Sequence, residues 1–283
     1  MNYNNEKNKN KYLFKICRVH NLKDLETVRN SEVNMIGLHA VYYNQKDYIN
    51  KEKKYKPLYR NYDNIDDLPI AIFELDSIRE MQKYMPNNIT QVILFQRTLS
   101  TNRMKKCIEL YNIPQDKCYI QLHYRINNEE INNIKNKVCK NIIATIGIYQ
   151  KDFLEYFNKL QNMLDSTSDF ILIDLSEHQS NLSIYDESVD KLEKIREIAQ
   201  IIQNNKIQII LADDTDPSTM KKYIYEMNKY NILIKGIDMQ NAVEIDKKKQ
   251  KYKLINDKGN FYQIKIRKSK KLMKKWNNFF RML

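Results

Sequence analysis

The chain has 283 residues, 42% of them hydrophobic, and a formal charge of +13; that is enough apolar mass for a sizeable core and excludes disorder as the main state. Only four glycines occur, Gly37, Gly147, Gly236 and Gly259, where average usage would supply about twenty. G-x-G-x-x-G and Walker-type loops are thereby excluded, because both need several glycines close together for backbone to approach phosphate. Cys17, Cys107, Cys118 and Cys139 contain no C-x-x-C pair, so reduced thiols are expected rather than a zinc site or redox couple. No metal and no cofactor are expected.

The opening MNYNNEKNKNKY has no apolar segment, and no run of eighteen apolar residues follows it anywhere, so the expectation is a cytoplasmic protein without a transmembrane segment. Residues 1–11 are expected to be a disordered polar start. Residues 247–283 hold fourteen Lys/Arg against Asp257 alone, whereas residues 12–246 carry 31 basic and 33 acidic side chains. The body is therefore near neutral and the C-terminal end basic. Most of these cations are lysines, which lack the planar fork for bidentate phosphate recognition. An acidic partner at the C-terminal face is the expectation, and nucleic acid is disfavoured.

Taken in chain order, short apolar runs alternate with helical periods, the signature of parallel strands joined by crossover helices. Strands are predicted at 12–17, 34–41, 89–96, 118–123, 141–148, 169–175, 207–212 and 231–239. Helices are predicted near 21–30, 75–85, 101–112, 127–138, 150–165, 186–205, 217–229 and 270–282. Asn21 and Thr101 stand where N-caps belong, and Pro217 where a first turn tolerates proline. Eight such units in about 250 residues give a single α/β domain over 12–283, a (β/α)8 TIM barrel. An open doubly wound sheet is the rival, and it does not require eight units. Residues 42–74 form a long insertion after the second strand, and residues 251–267 read as a hairpin insertion after the eighth. Both follow strand C-terminal ends, where barrels bind ligands.

Leu272, Trp276, Phe279, Phe280 and Leu283 lie at helical spacing, with Lys270, Lys271, Lys274 and Lys275 toward the other side. That pattern fits a membrane-surface or partner helix. It fits equally an eighth barrel helix, and since the barrel needs one, this is the preferred reading.

The strand ends carry a family resemblance. Lys15-Ile16-Cys17-Arg18, Asn34-Met35-Ile36-Gly37-Leu38-His39-Ala40, Ile120-Gln121-Leu122-His123-Tyr124 and Ile171-Leu172-Ile173-Asp174 follow one another in order, as do Leu211-Ala212-Asp213-Asp214 through Met220 and Gly236-Ile237-Asp238-Met239 through Glu244. Together they resemble the first, second, fourth, sixth, seventh and eighth strand motifs of the phosphoribosylanthranilate isomerases, barrel enzymes of tryptophan biosynthesis. The resemblance implies an Amadori-type rearrangement, an aldose-ketose isomerisation in which Cys17 is the base and Asp174 the acid. A thiol needs only a modest depression of its pKa for the first task, and the carboxyl must stay partly protonated for the second. Read by itself, Cys17 is equally a small buried apolar residue and Asp174 a loop or cap residue.

Where the family pattern holds phosphate on glycine-rich turns, this chain has Asp213-Asp214 and Ala242, and the glycine stretch after strand 6 has no counterpart. Two carboxylates about 4 to 6 Å from a phosphate dianion would repel it by several kcal/mol. The resemblance places an anthranilate-binding arginine shortly after strand 2, where Lys46 is the nearest candidate. His39, Lys46, His123, Asp213, Asp214, Asp238 and Asn241 are the candidate substrate-binding residues. Their carboxylates and imidazoles lack any metal signature spacing, and capping by Asp214 or Asp216 competes with ligation; a cationic or polyhydroxylated small molecule suits this rim without metal. The expectation is a diverged isomerase-like enzyme acting by proton transfer on a sugar-like or carbonyl substrate, its phosphate site degraded. The alternatives are a non-catalytic barrel that binds a ligand, a protein or RNA, and the orthodox isomerase itself.

Overall fold

A computed structural model describes residues 12–19, 21–40, 75–95, 100–114, 118–123, 126–148, 152–175, 191–213, 216–239 and 268–283. The predicted polar start, both predicted insertions, and Lys46, Asp214 and Asn241 lie outside the described residues, and of His39 only the backbone is described.

The strands are β1 (Leu13–Cys17), β2 (Met35–Ala40), β3 (Thr90–Phe95), β4 (Cys118–Leu122), β5 (Ile142–Gly147), β6 (Phe170–Asp174), β7 (Gln208–Ala212) and β8 (Ile234–Met239). They pair in sequence order, all parallel, and β8 returns to β1 to close the barrel. The helices are α1 (Leu22–Arg29), α2 (Leu75–Gln82), α3 (Thr101–Tyr111), α4 (Asn128–Lys137), α5 (Phe153–Leu160), α6 (Lys191–Asn204), α7 (Pro217–Lys229) and α8 (Lys270–Phe280). Each predicted strand and helix is found, and the closed ring settles the choice against an open sheet.

The runs are short, apolar and β-branched because each strand is covered on both faces. Outward residues such as Ile16, Ile36, Ile93, Ile120, Ile171 and Leu211 join the large core under the helices. Inward ones, Met35, Val92, Ile143, Phe170, Leu172 and Ile210, fill the ring itself, with Leu13, Tyr119 and Ala212 against them. At the N-terminal end of the ring, fully buried Asp169 ties three elements together. It accepts from the backbone N–H of Ile142 at 2.8 Å and of Asp165 at 2.7 Å, and pairs with Lys135 of α4.

Helix starts are locally encoded. Asn21 accepts from the Asp24 N–H at 3.0 Å, Asn127 and Glu130 form a capping box, and Asp216 accepts from Ser218 and Thr219 ahead of a chain that enters α7 through Pro217. The cap of α3 is Ser100, not Thr101, which is already helical. α8 lies against α7 and α1, and its buried stripe is Met273, Trp276, Phe279 and Phe280. Phe280 stacks on Phe14 of β1 with centroids 3.7 Å apart. This side chain set is that of a barrel helix, each large apolar group contributing about 1.5–3 kcal/mol on burial. Met273 takes the place expected of Leu272, and Leu283 ends exposed. No described helix is long and apolar enough to cross a membrane.

Candidate functional site

Lys15 sits in the middle of β1, between Phe14 and Ile16 of the outer core. The pleat turns it inward, and its side chain is fully buried. β1 pairs with β8 so that Lys15 stands opposite Asp238. Register-paired residues share a face, so the ammonium meets the carboxylate: Nζ lies 2.6 Å from Asp238 Oδ2. The same ammonium donates to Cys17 Sγ at 2.7 Å, one pleat further up β1, and the thiol lies 3.5 Å from Asp238 Oδ2. Opposite Cys17 on β2 stands Gly37, which leaves the space that the thiol and ammonium occupy.

The other half of the cluster comes from β6 and β4. Asp174 ends β6 and pairs with Ala212 of β7, which in turn pairs with Asp238. A methyl group is all that stands between the two acids along this row of the sheet. The His123 N–H, just past β4, bonds Phe95 O at 2.9 Å, and the imidazole Nε2 lies 3.5 Å from Asp174 Oδ2. One pleat below, Gln121 donates to Thr145 Oγ1 at 3.4 Å. The outer oxygens Asp238 Oδ1 and Gln121 Oε1 are buried and accept no hydrogen bond among the described residues.

Burial acts against every charge here, and the neighbours decide which charges persist. For Lys15 burial works downward, but Asp238 and the Cys17 sulfur outweigh it and hold the ammonium above its ordinary pKa. For Asp238 burial wins, helped by the nearby Asp174 charge and opposed by Lys15, so its carboxyl is pushed up. Cys17 is pushed up to about 12 by burial and by the Asp238 charge, against the pull of Lys15. Burial and Lys15 lower His123 against the pull of Asp174 and Asp238, which leaves a neutral imidazole at pH 7. The modest depression expected for a cysteine base is thus absent; the resting group is a thiol.

Asp213, just past β7, is buried, and Lys191 at the start of α6 reaches it at 3.4 Å. The expected rim of uncompensated carboxylates therefore has a lysine counter-charge at this position. His39 is placed on β2 opposite Leu94. Cys17, His123, Asp174 and Asp238 are brought to one end of the ring, with Asp213 next to Asp238 through its N–H to Asp238 O at 3.3 Å. Sequence reasoning missed Lys15 and Lys191 as members. The signal for Lys15 was present, a lysine inside a strand whose other residues are apolar; a buried lysine demands a partner. Among the described residues no group of three or more His, Cys, Asp or Glu could hold a metal ion.

No protein-family model matches the chain, and no curated protein matches it. Among solved structures it is similar to N-(5'-phosphoribosyl)anthranilate isomerase from Pyrococcus furiosus, with 16% identity and a TM-score of 0.57 over 96% of this chain and 100% of that one. It is likewise similar to phosphoribosylanthranilate isomerase from Thermotoga maritima, at 12% identity and TM-score 0.59 over 96% and 100% of the two chains. A third, from Thermococcus kodakaraensis, gives 14% identity and TM-score 0.57 over 95% and 99%. The chain thus shares the fold of these isomerases, a closed (β/α)8 barrel.

Proposed function

We propose that the protein is an isomerase that moves protons on a small sugar-like or carbonyl substrate at the C-terminal mouth of the barrel, in an Amadori-type or related aldose-ketose rearrangement. Cys17 takes the carbon-bound proton, and Asp174, steered by His123, delivers one to oxygen. The observation that carries this reading is the convergence of Lys15, Cys17, His123, Asp174 and Asp238 from four strands on one buried cluster. Perturbed titratable groups gathered at the mouth of a barrel are what general acid-base catalysis uses. The unpartnered Asp238 Oδ1 and Gln121 Oε1 suit a substrate that offers hydroxyl or amine donors. His39, Lys46, Asp213, Asp214 and Asn241 are assigned to the surrounding rim. Asp213-Asp214 replace the glycines of the family's phosphate seat, and although Lys191 offsets the charge of Asp213, the glycine backbone is gone and Asp214 adds a second acid, so a phosphate in that seat is disfavoured, and with it tryptophan biosynthesis.

The test is deuterium incorporation. Purified protein in D2O is given a panel of aldoses, ketoses and N-aryl ribosylamines, each with and without phosphate, and exchange at the carbon next to the carbonyl is followed by NMR. Exchange is expected with at least one unphosphorylated compound, and Cys17→Ser is expected to abolish it with little change in melting temperature. Exchange that survives both Cys17→Ser and Asp174→Asn, or no exchange with any compound, would refute the assignment. Rescue of a tryptophan auxotroph lacking the isomerase would instead identify the orthodox enzyme, and exchange-free binding would identify a ligand-binding barrel.

A further inference from the structure

We infer that Cys17 acts as a base only through Asp238, which takes the thiol proton while Lys15 holds the resulting thiolate. The inference rests on the proton-transfer reading above and adds a catalytic relay to it. Three distances carry it. Lys15 Nζ is 2.7 Å from the sulfur and 2.6 Å from Asp238 Oδ2, and the sulfur is 3.5 Å from that same oxygen. One ammonium therefore bridges proton donor and proton acceptor. Wherever the negative charge sits, on carboxylate or sulfur, it faces the same cation, so moving the proton between them separates no charge.

The charged groups acting on the sulfur are Lys15 from β1 and Asp238 from β8, and beyond them Asp174 from β6 acts on Asp238 while the neutral His123 after β4 faces Asp174. From β2 stands Gly37, without a side chain. Raised to about 12 by burial and by the Asp238 charge, Cys17 rests as a thiol at pH 7, and the acceptor in reach of its proton is Asp238 Oδ2 at 3.5 Å. Asp238, pushed up by burial, is a better acceptor than an ordinary carboxylate, and its Oδ1 accepts no hydrogen bond among the described residues.

The step balances. The Cys17 S–H bond breaks and an O–H bond forms on Asp238, leaving thiolate and carboxylic acid beside the ammonium. The thiolate then takes the substrate carbon proton, re-forming S–H, while Asp174, in the protonated form that this step requires, gives its proton to the substrate oxygen. One proton has moved from Asp174 to Asp238, and its return resets the site without any net gain or loss.

Asp238→Asn separates a relay from a free-standing cysteine base. It removes the carboxylate that opposes the thiolate and leaves Lys15, so the Cys17 pKa should fall, and iodoacetamide labelling of Cys17 at pH 9, read by peptide mass spectrometry, should rise about tenfold per unit of fall. Exchange on the substrate should nevertheless drop by about 10² to 10⁴. Faster labelling with undiminished exchange would overturn the relay, as would unchanged labelling whatever the exchange. Faster labelling in a protein that exchanges no substrate would overturn the isomerase reading alone. Because Asp238→Asn strands a buried ammonium and can fail to fold, the unaltered protein supplies a second readout. Its Cys17 S–H infrared stretch, identified by its loss in Cys17→Ala, should be shifted down by the carboxylate; a stretch typical of an unbonded thiol would overturn the relay.

Discussion

A Cβ built on Gly37 would stand 2.8 Å from the Cys17 sulfur and 3.1 Å from its Cα. The thiol therefore occupies room that only glycine leaves open. Gly37→Ala is expected to push the sulfur off the Lys15 ammonium, at about 1–3 kcal/mol of overpacking. Iodoacetamide labelling of Cys17 should change while the circular dichroism of the barrel does not; an unmoved labelling rate would mean that the site tolerates the methyl.

Lys15 and Asp238 neutralise one another inside the ring. Lys15→Met should strand the acid and destabilise by about 3–5 kcal/mol, whereas replacing both partners, Lys15→Met with Asp238→Leu, should recover most of that loss. Urea denaturation of the two variants decides the matter. A double variant no more stable than the single one would show that the pair is not compensating.

Asp169 works at the opposite end from the mouth. Asp169→Ala would leave the N–H groups of Ile142 and Asp165 without their acceptor and Lys135 without its partner. A loss of about 3 kcal/mol is expected by denaturant titration, with proton exchange on substrate unaltered at temperatures where the variant is folded. Reduced exchange in the folded variant would tie the two ends of the ring together.

Asp216 caps α7 through Ser218 and Thr219, whose hydrogen bonds hold its carboxyl at about 2. Asp216→Ala should cost about 1 kcal/mol at neutral pH. Because the folded pKa is depressed, that stability is present above the unfolded value and is lost as pH falls from about 4 through about 2. Melting curves of wild type and variant should converge over that window, and a constant difference down to pH 2 would mean that the cap does not act through its charge.

The architecture was legible because its information is local and repeated. Ile-rich runs such as 170–174 and 209–211 mark strands buried on both faces, and Asn21, Pro217 and the Asn127/Glu130 pair mark helix starts. Boundaries slipped where two residues serve equally, as with Ser100 and Thr101. The site was legible in part. Cys17, His123, Asp174 and Asp238 could be singled out because each lies at or next to the C-terminal end of a strand and within a motif of the family resemblance, and in a ring that end is the mouth. Lys15 was passed over although its apolar neighbours in β1 marked it, because the partner that a buried lysine needs is supplied by the β1–β8 register.

Composition and periodicity by themselves determined eight β/α units, since these are written in the spacing of side chains along each element, and the family resemblance added candidate residues at the strand ends. Which groups touch was decided only by closing the ring. That closure sets β8 against β1, places Asp238 opposite a lysine 223 positions away, and turns the expected easily ionised cysteine into a protonated thiol, because a sulfur's proton affinity is set by the charges and the water around it and not by its place in the chain.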